Sequence, residues 1–219
     1  MINNESRELK IMIIGSSGAG KTSFVQRWTK GDFSNIYKAT IISDFGFKIF
    51  NYKENLYRIQ LWDIGGQDKS ASMAKIFARD SHGCIVVTDI SINETPAEIL
   101  KWKEIISEES MFIDNQQIPF VLIGNKIDLI ENDEDKKKIE EKAKEISNNY
   151  GFLNYFLTSA KEDININESM TYLLEYIIQK MLNFCNESGV AFGQRRKDSV
   201  LLKKPNQPIR KEGNNSCCQ

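Results

Sequence analysis

The chain has 219 residues, a net charge of −1, 41% hydrophobic residues and 27% charged residues. These values are ordinary for one soluble globular domain with a tail, and no apolar run approaches the length of a membrane span. The first residues lack a signal-peptide core, and Ile2 in place of glycine predicts no N-myristoylation. Four cysteines without regular spacing predict a reducing compartment rather than a disulfide framework.

The charge is unevenly distributed along the chain. Residues 194–219 include two acidic side chains, Asp198 and Glu212, and seven basic ones, which are Arg195, Arg196, Lys197, Lys203, Lys204, Arg210 and Lys211. This segment therefore carries +5, which leaves −6 on the rest of the chain. An acidic body argues against nucleic-acid binding, whereas a basic segment suits contact with an anionic membrane surface.

Apolar strand patterns alternate with helical patterns. "LKIMIIG" predicts a buried strand, and a helix over about residues 21–30 follows it. "DFGFKIFNY" and "NLYRIQLWD" predict a hairpin around the polar link Lys53-Glu54. "GCIVVTDI", "IPFVLIGN" and "FLNYFLT" predict three more strands, and Thr95-Pro96-Ala97-Glu98 predicts the capped start of a helix. The pattern predicts an α/β fold: a six-stranded, mostly parallel sheet with one antiparallel edge strand and helices on both faces.

The helical periodicity of the last segment ends near Phe184. Its apolar positions are Met170, Leu173, Leu174, Ile177, Ile178 and Met181. Beyond them glycine, asparagine, proline, glutamine and charged residues dominate, which is typical of disorder. We therefore predict one folded domain over residues 1–183 and a disordered basic tail over residues 184–219.

The stretch "GSSGAGKTSF" joins the first strand to the first helix and predicts a loop that binds polyphosphate. Glycines let successive backbone N–H groups turn inward around an anion, and the helix start adds its positive end. Lys21 is placed to reach the β- and γ-phosphates, and the Thr22 hydroxyl is placed to ligate Mg²⁺. The predicted contacts of this loop are Ser17, Gly18, Ala19, Gly20, Lys21, Thr22 and Ser23.

The segment "DIGGQ" follows the strand that ends at Asp63. A carboxylate at that position suits Mg²⁺ binding through water, the Gly66 N–H suits a γ-phosphate, and Gln67 suits orientation of an attacking water. Lys21 and Gln67 are therefore the predicted catalytic residues. Taken alone, this short pattern equally describes a common turn.

Two motifs at later strand ends predict recognition of a base. In "GNKID", the Asp128 carboxylate can accept from a ring N–H and a 2-amino group, which guanine has and adenine lacks. In "TSAK", the backbone of Ala160 can donate to the guanine oxygen. The predicted base-end residues are Asn125, Lys126, Asp128, Ser159, Ala160 and Lys161. Together the four motifs predict a guanine-nucleotide site.

These motifs, with "YKATIISDF" and the paired cysteines near the end, make the chain resemble the Rab family of Ras-superfamily small GTPases over about residues 7–182. The resemblance implies a P-loop G domain that switches between GTP and GDP and hydrolyses GTP to GDP and phosphate slowly without an activating protein. It implies Thr40 as a Mg²⁺ ligand, Phe33 against the guanine face, and an effector face of Phe45, Trp62 and Phe77. "LKWK" and "SEESMFIDNQQIP" resemble the Rab branch of lysosome-related organelles.

The resemblance also implies partners and a location. Expected partners are effectors, an exchange factor, an activating protein and the prenylation and escort machinery, in the service of vesicle traffic. Cys217 and Cys218 resemble the Rab double-cysteine end, which carries two geranylgeranyl groups. Two lipid chains anchor a protein stably where one anchors marginally. The expected location is the cytosolic face of an intracellular membrane, with cycling through the cytosol.

Several positions depart from the Rab pattern. Ile42 replaces a glycine, and the usual Ala-Gly-Gln-Glu-Arg-Phe is Gly65-Gly66-Gln67-Asp68-Lys69-Ser70, so that "WDIGGQ" resembles the Arf family instead. These changes leave open a second function, a GTP-binding recruitment module with little hydrolysis. A nucleoside kinase is a third candidate, but the base-reading motif argues against it. We interpret His82 as structural and "ENDEDKKKIEEKAKE" as a solvated helix face or a partner surface.

Overall fold

The computed structural model of the chain describes residues 7–92, 94–189 and 192. In these ranges six strands form a single sheet in the order β2-β3-β1-β4-β5-β6. The strands are β1 (Arg7–Ile14), β2 (Ser43–Tyr52), β3 (Asn55–Ile64), β4 (Gly83–Asp89), β5 (Phe120–Asn125) and β6 (Asn154–Thr158). The helices are α1 (Lys21–Lys30), α2 (Asp68–Ala78), α3 (Pro96–Ser107), α4 (Asp133–Asn149) and α5 (Ile166–Ser188), with a short 3₁₀ turn at Ile127–Leu129.

Five of the strands are parallel and β2 is antiparallel at one edge, as predicted. The parallel strands all end at the same edge of the sheet, so the segments that follow them lie side by side. Ligands of open α/β sheets bind at this edge. The strands β4 and β5 and the last four residues of β1 are wholly buried because helices cover both of their faces.

Helices α1 and α2 pack on opposite faces of the hairpin formed by β2 and β3. A Cβ added to Gly46 would lie 3.2 Å from Val25 of α1. Phe45, the neighbouring residue, points to the other face and contacts Trp62, which stacks on Phe77 of α2. The hairpin turns at Lys53 and Glu54 with positive φ at both residues, the geometry that matches the twist of paired strands. The predicted link is confirmed.

The start of α3 forms the predicted capping box. The Thr95 hydroxyl accepts from the Glu98 N–H at 3.3 Å, and the Glu98 carboxylate accepts from the Thr95 N–H at 2.7 Å. The prediction for His82 is also confirmed, since it has a structural contact: its Nδ1 accepts from the Lys10 N–H at 3.1 Å. Cys84 of β4 is fully buried in the core.

The end of the folded region differs from the boundary predicted at residue 183. Helix α5 continues to Ser188, with Phe184 and Cys185 half-buried, and it ends where Gly189 adopts a left-handed conformation. Further along, Phe192 packs edge-on against the buried Tyr57 ring at 5.6 Å. Most of the predicted tail, including Cys217 and Cys218, lies outside the described residues. None of the helices in the described ranges has the length and apolar character needed to cross a bilayer.

Candidate functional site

A cavity of about 560 Å³ opens at the sheet edge where the parallel strands end. All the predicted nucleotide-binding residues line it except Ala19 and Ser159, which lie directly behind it. The lining also includes residues that the sequence analysis did not name: Gln26, Ser34, Asn35, Ile36, Tyr37, Lys38 and Leu129. Five of these follow Phe33 and precede Thr40. Phe33 and Thr40 were both predicted to reach the ligand, so the residues between them could also have been predicted from the sequence.

The phosphate end of the cavity is the loop between β1 and α1. Gly15 has φ of 136°, and a Cβ there would meet the Val87 carbonyl oxygen at 2.0 Å, so only glycine allows this close approach to β4. The buried Lys21 ammonium donates to the carbonyls of Gly15 at 2.9 Å and Ser16 at 2.8 Å. Burial lowers the pKa of Lys21 to about 8, while the charges of Asp63 and Glu94 oppose that shift.

Three oxygen-bearing side chains converge beside Lys21, as the sequence predicts for a Mg²⁺ site. The Thr22 hydroxyl donates to Asp63 Oδ2 and lies 2.8 Å from the Thr40 hydroxyl. Asp63 is only 1% exposed, and its Oδ1 is buried without a hydrogen-bond partner. Burial raises the pKa of Asp63 to about 6, against the Thr22 hydrogen bond and the Lys21 charge. A buried carboxylate oxygen and two hydroxyls are ligands that suit Mg²⁺.

The segment after β3 approaches the phosphate loop through Gly66. A Cβ on Gly66 would lie 2.4 Å from the Ser17 nitrogen and 2.7 Å from Lys21 Nζ, so the backbones are in close contact. The preceding Gly65 donates its N–H to the Ile42 carbonyl at 2.9 Å, which ties this segment to the one that carries Thr40. Two of the positions that depart from the Rab pattern therefore join the two segments through backbone atoms.

Gln67 lies in a different environment from the other predicted catalytic residue. It is exposed, it immediately precedes α2, and it is not among the residues that line the cavity. Its role in orienting water stays a prediction.

The base end of the cavity is held by hydrogen bonds between its own motifs. Asn125 donates to the Ala19 carbonyl at 2.9 Å, and its Oδ1 accepts from the Ala160 N–H at 3.2 Å. The Ser159 hydroxyl donates to Asp128 Oδ1 at 2.6 Å and so orients this carboxylate. Ser159 therefore contacts a carboxylate that lines the cavity but does not line the cavity itself.

A residue at the end of β4 holds Lys126 in place. Lys126 has φ of 71°, and its ammonium forms an ion pair with Asp89 at the end of β4. The sequence analysis did not identify Asp89, which contacts the site through this ion pair. The C-terminal ends of β4, β5 and β6 are thus linked at the base end.

The three aromatic residues predicted for the effector face form one cluster. The Phe45 and Trp62 ring centroids lie 5.6 Å apart, and those of Trp62 and Phe77 lie 5.1 Å apart. Phe45 is 47% exposed, and the exposed Phe47 and Ile49 extend the apolar surface along β2. The use of this surface by partners stays a prediction.

Comparison with known proteins agrees with this geometry. A protein-family model described as the Ras family matches residues 10–179. The chain is 34% identical to Ras-related protein Rab-32 of Homo sapiens, over 98% of this chain and 92% of that protein. It is 32% identical to Rab-7L1 of Mus musculus, over 90% and 93% of the two chains. It is 34% identical to Rab7A of Mesembryanthemum crystallinum, over 82% and 86%. The chain therefore belongs to the Ras family and, within it, to the Rab small GTPases.

Proposed function

We propose that the chain is a Rab switch in membrane traffic, which recruits effectors with GTP bound and releases them after slow hydrolysis to GDP. The observation that carries this proposal is the composition of one cavity. The phosphate loop, two separate segments that carry Thr40 and Gly66, and the base-end carboxylate Asp128 all line it. A terminal phosphate at the loop is then within reach of both segments, and its loss releases them.

At the phosphate end, each predicted residue has a separate role. Thr22 and Thr40, with Asp63 through water, would hold Mg²⁺, which when bound supplies positive charge that offsets the charge of the phosphate oxygens. Lys21 adds a second positive charge from the loop. Gln67 orients the attacking water. None of the arginines among the described residues lines the cavity, so turnover is slow, and an activating protein accelerates it by about 10³ to 10⁵.

Base recognition tests the assignment most directly. In calorimetry with nucleotide-free protein we expect GDP and GTP to bind and their adenine counterparts to bind at least about 10³-fold more weakly, since adenine lacks the ring N–H and the 2-amino group with which Asp128 would pair. Asp128→Asn should weaken guanine binding and favour xanthine nucleotides. Asp133→Asn, which removes an exposed carboxylate from the start of α4, is the matched control. Equal binding of adenine and guanine nucleotides by the unmodified protein would contradict the proposal.

One observation favours a second function, a GTP-binding recruitment module with little hydrolysis. Gln67 is exposed and outside the cavity lining, in the segment that departs from the Rab pattern. Single-turnover hydrolysis with and without cell extract separates the two functions. Phosphate release in either condition supports the switch, and its absence in both supports the module.

The effector face and the membrane anchor complete the proposal. The cluster of Phe45, Trp62 and Phe77 is supported as an effector surface by its partial exposure beside the segment that carries Thr40. Prenylation of Cys217 and Cys218 would place the protein on the cytosolic face of an intracellular membrane, with an exchange factor, an activating protein and escort machinery as further partners.

A further inference from the structure

We propose that Arg27 is a positioning residue that holds the base end of the nucleotide site closed and thereby sets the lifetime of the bound nucleotide. The inference rests on the proposed function, because it concerns the same site. Arg27 lies in the last turn of α1, does not line the cavity, and belongs to none of the four nucleotide motifs.

The guanidinium of Arg27 fastens two parts of the chain that are distant in sequence. Its Nε donates to the Ala160 carbonyl at 2.8 Å, and its Nη2 donates to the Lys161 carbonyl at 2.8 Å. Its Nη1 donates to the Gly31 carbonyl at 2.6 Å, just beyond the end of α1. The planar fork of arginine satisfies three carbonyls at once, which the single ammonium of lysine cannot do in this arrangement.

The same guanidinium also lies against Phe33. Its carbon is 6.0 Å from the centroid of the Phe33 ring, a residue that lines the cavity. Arg27 therefore contacts the segment after α1 and the loop after β6, which form two walls of the base end. The residues that line the phosphate end are not among these contacts.

The energetics favour an effect on nucleotide release. Hydrogen bonds to a charged group are stronger than neutral ones, and the planar guanidinium of the half-buried Arg27 gives them a fixed direction. If Arg27 is removed, the loop of Ala160 and Lys161 loses its connection to α1, although Asn125 still binds the Ala160 N–H. The base end should then open more often, whereas the phosphate loop and the Mg²⁺ ligands are unchanged.

The test measures release of a fluorescent GDP analogue from full-length protein with excess unlabelled GDP. We expect Arg27→Met and Arg27→Lys to accelerate release by on the order of tenfold. Chelation of Mg²⁺ should accelerate release by the same factor in each variant as in the unmodified protein, because Thr22 and Asp63 are not touched. Lys30→Met, which removes a positive charge from the exposed end of the same helix, is the control and should release GDP at the unmodified rate.

Three results would overturn this role of Arg27. Unchanged release in the Arg27 variants overturns the inference, and so does an equal acceleration in Lys30→Met. A changed chelation factor also overturns it, because this would indicate general loosening rather than an effect at the base end. Arg27→Lys keeps the charge and the apolar stem, so it provides the test if Arg27→Met does not fold. Failure of the unmodified protein to bind GDP would overturn the proposed function itself, a result that these comparisons keep separate.

Discussion

Asp63 and Lys21 are both buried, and burial shifts the pKa of each side chain in the direction that favours its neutral form. Burial raises the pKa of the carboxyl to about 6 and lowers the pKa of the ammonium to about 8. Charged groups in this position cost free energy in the absence of a ligand, and a polyphosphate with Mg²⁺ supplies the opposite charges. A bound ligand that supplies these charges would therefore stabilise the folded protein.

The raised pKa of Asp63 predicts how the stability of the nucleotide-free protein depends on pH. Between pH 6 and 4 the folded chain takes up a proton at Asp63 that the unfolded chain does not, so this group stabilises the fold as the pH falls and the contribution is lost as the pH rises through 6. We expect Asp63→Asn to be more stable than the unmodified protein at pH 7, by on the order of 2 kcal/mol, and the difference to close near pH 4. Urea unfolding with chelator present measures this, and a difference that is constant with pH would contradict it.

Gln67 carries a prediction about hydrolysis at the same scale. Leucine cannot orient a water molecule, so Gln67→Leu should lower single-turnover GTP hydrolysis at least tenfold while GTP affinity is kept. Affinity should be kept because Gln67 does not line the cavity. Gln117→Leu, the same change at an exposed glutamine outside the cavity lining, is the control and should leave the hydrolysis rate unchanged. An unchanged hydrolysis rate in Gln67→Leu would remove this residue from the mechanism.

At the scale of single elements, local chemistry fixes where α3 begins and where β2 turns into β3. The helix starts at a reciprocal pair of hydrogen bonds between Thr95 and Glu98, and the hairpin turns on two residues with positive φ. Both features depend on residues that are adjacent in sequence, which is why they were predicted correctly. The end of α5 was misplaced because its last residues pack through a few half-buried side chains and carry no strong apolar repeat.

The capping box of α3 gives a prediction for stability. Thr95→Ala removes the acceptor for the Glu98 N–H and should lower the free energy of unfolding by about 1 kcal/mol, whereas Thr95→Ser should keep most of it. Urea unfolding in saturating GDP measures both variants, and nucleotide affinity should stay the same because Thr95 is not in the cavity lining. If Thr95→Ser lowers the free energy of unfolding as much as Thr95→Ala does, the lost methyl group rather than the lost cap explains the effect.

At the scale of the whole molecule, the sheet separates the nucleotide site from the point where the chain continues towards its end. The cavity is at the C-terminal edge of the parallel strands, whereas Phe192 packs on Tyr57 and Arg7 at the opposite edge, where β1 and β3 begin. If Cys217 and Cys218 are prenylated as proposed, the last described residue before them, Phe192, lies at the sheet edge opposite the cavity.

Membrane attachment through the terminal cysteines gives the prediction at this scale. Changing both Cys217 and Cys218 to serine should move the protein from the membrane to the soluble fraction of cells and leave GDP affinity unchanged. A single change should leave partial attachment, because one lipid chain anchors only marginally. Fractionation with intact mass measurement reports both attachment and the lipid. Membrane association that persists in the double variant would contradict this mode of anchoring.

The sequence by itself determined the α/β fold, the position of the phosphate loop and most of the residues that line the cavity. Each of these depends on residue types at short spacings, such as the glycines around Lys21 or the carboxylate at Asp128, and local geometry carries that information. Only the tertiary structure decided what supports them: Arg27 on the loop of Ala160, Asp89 on Lys126, and Ser159 on Asp128. These contacts join residues separated by 31 to 133 positions, and they form only when strand order and helix packing bring the partners together. No local pattern encodes that juxtaposition, because it is set by the packing of the whole sheet and its helices.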